Sequence, residues 1–193
     1  MHIDYLHRLE AILPAPQEPW CATGDWEAVE LQFGTPLPED YKQFISKYGT
    51  GLISYGLRVY NYLENPDRVE KVLGHLRVLQ ERTQAELVNV AELLGRDSTE
   101  VQLSLPFPIY PEPGGLFPWG EADDWWTFYW LRTGSPAEWG TVATYKGIES
   151  YDYYPNMSAV TFLVNLFQEH FHQHLRLEPD FQVIHPPGEW GSQ

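Results

Sequence analysis

The sharpest chemical signal in the chain is HFHQH, His170 to His174. On a helix, His170 and His174 lie four residues apart and could both face one metal ion, while His172 projects elsewhere. A zinc site needs a third protein ligand, and nothing nearby offers one at helical or hairpin spacing, Glu169 and His185 being the nearest candidates. Imidazoles gathered near the negative end of a helix, where their charged form is favoured, explain the same pattern without a metal, and that reading is preferred. GEADDW, Gly120 to Trp125, concentrates three carboxylates. Paired acids can share a proton for hydrolysis or grip a hard cation, but the D-x-D-x-D-G spacing of a calcium loop is absent. A solvated hairpin turn is the simpler account. Aromatics beside charges also make interface anchors, so Glu121, Asp123, Asp124 and Trp125 form a candidate partner-binding set. Cys21 has no histidine near it in sequence and reads as a small apolar residue. There is no G-x-S-x-G elbow and no phosphate-cradling glycine loop. No catalytic residue, cofactor site or metal site is therefore assigned.

Composition bounds the rest. The chain has 193 residues, 43% of them hydrophobic and 15% aromatic, enough for one substantial core. Twenty-seven acids against 12 Lys and Arg give a formal charge of −15, which repels nucleic acid and anionic membrane surfaces and suits a basic protein partner. A single cysteine excludes an internal disulfide and fits a reducing compartment. The start, MHIDYLHRLEAIL, is amphipathic and carries acids, unlike a signal peptide, and no apolar run is long enough to span a bilayer. The expected location is the cytoplasm.

The candidate residues need a frame, and the chain's periodicity supplies one. Asp4 caps a predicted helix through Leu13, which Pro14 ends, with Leu6, Leu9, Ile12 and Leu13 on one stripe. After the PAPQEP linker, Thr23 or Asp25 caps a short helix bearing Trp26, Val29 and Phe33, with Gly34 at its exit. LPEDYKQFISKYG predicts a third helix. Pro38 takes its first position, Glu39 and Asp40 complement its dipole, and Leu37, Tyr41, Phe44, Ile45 and Tyr48 form a buried face. Gly49 and Gly51 let the chain leave through positive φ into LISYGLRVY, a predicted strand with a bulge at Gly56. Residues 66 to 94 are helical, as one bent element or as two divided at a Thr83–Glu86 capping box. The prolines at 106, 108, 111, 113 and 118 argue against a central strand and for an extended loop, turning at Pro113-Gly114-Gly115. WWTFYWL, WGTVATYK and ESYDYY then read as strands, Ser158 as the cap of a last helix, and FQVIH as an edge strand, with the final PPGEWGSQ frayed. The eight tryptophans read as core by default, several of them with buried bodies and N–H groups that reach polar loops.

The stretch WEAVELQFGTPLPEDYKQFISKYGTGLI resembles the hallmark of the SUKH superfamily, which joins fungal cell-wall-assembly regulators to bacterial toxin-immunity proteins. Trp26, Gly34, Leu37, Pro38, Asp40, Tyr41, Lys42, Phe44, Tyr48, Gly49 and Gly51 carry the likeness. GGLFPWG, the acidic loop, WWTFYWL, Trp139 and the SAVTFLVNLF helix extend it over roughly residues 20 to 172; Trp125 stands where relatives often carry a small residue. The organisation expected is a single SUKH-like domain over 1–193: an N-terminal helix and linker (1–19), the family-like core (20–172) and a C-terminal extension (173–193). The resemblance implies an α+β fold, an antiparallel β-sheet packed against helices, in agreement with the periodicity. It also implies no enzymatic activity and a function as an immunity protein that binds a co-encoded nuclease or deaminase toxin. A regulatory scaffold of the fungal kind is the alternative, and a metal-dependent enzyme built on His170, His174 and the carboxylates a more distant one.

Overall fold

A computed structural model describes residues 5–54, 56–94, 106–146, 150–168 and 177–185. Helix α1 (Tyr5–Ile12) buries Leu6 and Leu9, with Leu13 buried one residue beyond its end, where Pro14 offers no N–H to continue it. Helix α2 (Trp26–Phe33) is capped by Asp25, whose carboxylate accepts the Ala28 N–H at 3.0 Å, and stops at Gly34 in left-handed conformation. Helix α3 (Glu39–Tyr48) begins one residue later than expected, so Pro38 stands at its cap. Tyr41, Phe44, Ile45 and Tyr48 form its buried face, each contributing about 1.5–3 kcal/mol by leaving water.

Seven antiparallel strands form one sheet in the order β6-β5-β4-β3-β2-β1-β7. The stretch LISYGLRVY is not one bulged strand. It folds into a tight hairpin of β1 (Gly51–Ile53) and β2 (Leu57–Val59), with Ile53 opposite Leu57 and Ser54 in left-handed conformation at the turn. Gly51 differs from expectation too: its backbone is not in the positive-φ region, and it is confined because a Cβ there would meet the Phe181 ring carbons at 2.5 Å. Residues 68–93 form one helix, α4 (Arg68–Leu93), which runs through Thr83 and Glu86 without a break.

Beyond α4, the described loop turns over Glu112–Gly115, with Gly114 at φ 72°. Strand β3 (Leu116–Ala122) then lies in the middle of the sheet, and Pro118 is inside it, contrary to the reading that this proline rules out a central strand. A register shift between Pro118 and Gly120 makes this possible, since a bulge needs no ladder hydrogen bond from the proline nitrogen. The Pro118 carbonyl is still used, accepting from the Tyr62 hydroxyl. Strands β4 (Trp126–Leu131), β5 (Gly140–Tyr145) and β6 (Ser150–Tyr154) continue the meander. Helix α5 (Ala159–Gln168) is capped by Ser158, and β7 (Phe181–Val183) closes the far edge against β1.

Alternation along β4 divides the molecule into layers. Phe128 and Trp130 face the side covered by α1, α3 and α5, where Phe128 meets Phe162 and Trp130 meets Tyr41. Thr127 and Tyr129 face α4 on the other side. This is an α+β domain. Trp119, Trp126, Trp130 and Trp139 are core as expected while Trp125 is exposed, and the indole N–H groups of Trp119, Trp130 and Trp139 find no acceptor among the described residues rather than reaching polar loops.

Asp40 ties α3 to the cap of α5. Its carboxylate accepts from the Tyr41 N–H at 2.9 Å and from the Ser158 side chain, while burial, the dominant cause, pushes its pKa above the ordinary aspartate value. A carboxyl whose folded pKa is raised binds its proton more tightly in the folded state. It therefore adds stability below the unfolded pKa, and that stability is lost as pH rises through the folded one. Asp40→Asn keeps an acceptor oxygen and removes the charge. Its melting temperature should exceed the parent's at pH 7, with the gap closing towards pH 4; a gap that widens on acidification would refute the assignment.

Candidate functional site

The β3–β4 hairpin carries all four residues of the expected partner-binding set. Its tip is a three-residue connection, Asp123 to Trp125, between the paired Ala122 and Trp126, with φ of 52° at Asp123 and 57° at Asp124 and the Trp125 N–H donating to the Ala122 carbonyl at 3.2 Å. Aspartate is among the residues that tolerate positive φ. Asp123 leans onto the β1–β2 turn, where its N–H donates to the Gly56 carbonyl at 3.3 Å and its carboxylate lies over the Gly56 Cα. Trp125 is 53% exposed, and the Lys146 ammonium sits 5.1 Å from its ring centroid.

Glu121 belongs to strand β3, not to the acidic loop, and its partly exposed side chain reaches towards β2 and α4. Its carboxylate accepts from the Tyr60 hydroxyl at 2.8 Å and pairs with Arg68 at 3.3 Å, while the Arg68 guanidinium stacks 4.9 Å over the Tyr60 ring. Burial above all, then the neighbouring Glu121 charge, raises the Tyr60 pKa, so this hydroxyl is a donor and not a base. One of the three GEADDW carboxylates is thus held in a salt bridge.

Glu121, Asp124 and Trp125 line the mouth of a groove of about 440 Å³ between α4 and the sheet, and Asp123 stands outside it. Strand β2 contributes Arg58, and α4 contributes Arg68, Lys71 and His75 from successive turns of one face. Tyr129 and Thr127 form part of the floor. Burial raises the Tyr129 pKa, partly offset by hydrogen bonds from the Thr127 and Thr144 side chains. Sequence reading missed this basic wall. Its signal was the spacing of Arg68, Lys71 and His75, three and four residues apart, with Arg58 between the apolar Leu57 and Val59.

The remaining chemical candidates resolve differently. His170 and His174 lie outside the described residues, and among the described residues no group of three or more His, Cys, Asp or Glu is arranged to hold a metal ion. Cys21 is a free thiol at φ 53° whose pKa is raised by burial and then by the Glu64 charge, the opposite of an activated nucleophile. Among the described residues no helix is long and apolar enough to cross a membrane. Compared with known proteins, the chain matches no family model, no curated protein and no solved structure.

Proposed function

We propose that the chain is a non-enzymatic binding module, an immunity protein of the SUKH kind, which neutralises a basic protein toxin by covering its active groove. The observation that carries the reading is the hairpin tip: an exposed tryptophan beside two exposed carboxylates, Asp123 and Asp124, on a turn closed by its own hydrogen bond and braced against Gly56. A large aromatic rimmed by charge is the usual make-up of an interface anchor. A field from a net charge of −15 speeds encounter with the cationic substrate grooves that nucleases present. The residues of the shared motif, Tyr41, Phe44 and Tyr48 among them, are buried, which supports a surface that does the recognising and a core that holds it.

The test is binding to the toxin domain encoded beside the chain. Asp123→Asn together with Asp124→Asn removes two charges while keeping a side chain that tolerates left-handed backbone. The pair should slow association about tenfold at low ionic strength and flatten its salt dependence. Trp125→Ala should weaken affinity about 10–30-fold through faster dissociation. Failure of the unmodified chain to bind that domain, or indifference of the complex to both changes, would end this reading.

A further inference from the structure

The groove between α4 and the sheet gathers positive charge against the sign of the whole molecule. Arg58, Arg68 and Lys71 are three of the chain's 12 Lys and Arg, and all three line this one cavity, with His75 beside them. Three cations elsewhere are spent on carboxylates, Lys42 on Glu30 and Glu39, Lys47 on Glu10 and Arg77 on Glu70, while Arg132 and Lys146 lie over aromatic rings. Inside the groove only Arg68 is so used, by Glu121. Arg58 and Lys71 make no side-chain hydrogen bond or ion pair among the described residues, and the Arg58 Nε is buried there without an acceptor. A buried donor left unpaired costs free energy that a bound acceptor returns.

We infer that this groove is a binding site for a small phosphate monoester carrying a flat aromatic body, of which a nucleoside monophosphate is the simplest example. Two uncommitted cations, set against the single Asp124 carboxylate at the mouth, leave the groove net positive for a phosphate group, and a guanidinium offers its oxygens a planar fork of donors. Arg68, neutralised by Glu121 and stacked on Tyr60, keeps the wall in place rather than adding net charge. Trp125 at the mouth, with Val72 and Leu79 on the helix side, gives an aromatic and apolar surface for the base. The volume of about 440 Å³ falls within the roughly 300–1,000 Å³ usual for small-molecule sites. The inference concerns the isolated chain and does not rest on the toxin reading.

Calorimetric titration of the purified chain with adenosine 5′-monophosphate, adenosine and inorganic phosphate tests it. The monophosphate should bind saturably, and adenosine and phosphate each at least about tenfold more weakly, because each lacks half of the recognition. Arg58→Gln should weaken monophosphate binding at least about tenfold. Lys71→Gln, a change on an exposed turn of α4 that the fold tolerates, should act in the same direction and keeps the test decisive if the Arg58 variant misfolds. Absence of saturable monophosphate binding, or binding indifferent to both substitutions, overturns the proposal. So does binding of a pentaglutamate peptide through Arg58 and Lys71 when the monophosphate does not bind, which would give the groove to an acidic protein segment.

Discussion

Replacing Trp119 by alanine is expected to destabilise the domain by about 3–5 kcal/mol, a fall in melting temperature of roughly 6–20 °C for a chain of this size. Trp119 has no exposed surface, and it joins three elements. Its ring stacks on Phe128 of β4 at 5.0 Å, meets Phe162 of α5 edge-on at 5.6 Å and lies 6.4 Å from Trp130. Alanine would leave a void that neither a β-sheet nor the helix above it can collapse to fill. Trp119→Phe should behave quite differently. It keeps most of the contact area and deletes an indole N–H that has no acceptor among the described residues, removing a burial penalty of about 1–3 kcal/mol. The phenylalanine variant should therefore recover most of the stability the alanine variant loses. Equal losses for the two, measured by thermal melting, would mean that the indole N–H is hydrogen-bonded in solution.

Gly49→Ala is expected to cost at least about 3 kcal/mol, against about 1–2 kcal/mol for Gly34→Ala. Both glycines have positive φ, 61° at Gly34 and 64° at Gly49, but their surroundings differ. At Gly34 an added Cβ would meet nothing within 4 Å, so only the left-handed backbone is penalised. Gly49 has ψ of −143°, a region nearly restricted to glycine. A Cβ there would overlap the Trp20 carbonyl oxygen and lie 2.9 Å from the Trp20 nitrogen. That carbonyl accepts the Thr50 N–H at 2.8 Å, which locks the proline-rich linker to the start of the sheet. Relief of the clash would break this bond as well. Denaturant midpoints with an unchanged slope should separate the two variants; similar midpoints would show that the linker yields and that Gly49 is replaceable.

The same contrast separates what was legible in the chain from what was not. Helix caps and buried faces were readable because their causes are local. Asp25 reaches an N–H three residues away, Ser158 caps α5 in the same way, and Tyr41, Phe44, Ile45 and Tyr48 recur with the period of the helix they bury. The strand runs of β4, β5 and β6 were equally plain. Of the site, the hairpin tip at Asp123 to Trp125 was visible as a cluster of types, while the partners of Glu121 were not, since Tyr60 and Arg68 lie 61 and 53 residues away.

Local physics thus settled the helices, the alternating strands, the acidic exterior and the presence of a charged aromatic turn, because each depends on neighbours within a few bonds. Sheet assembly settled the rest. It placed Pro118 in a central strand by supplying a bulge, divided LISYGLRVY into a hairpin, and ran α4 unbroken across one face. It also brought Glu121 to Arg68 and left Arg58 and Lys71 together in a groove. Those outcomes rest on contacts between distant segments, and the energy of such a contact exists only once the layers have come together.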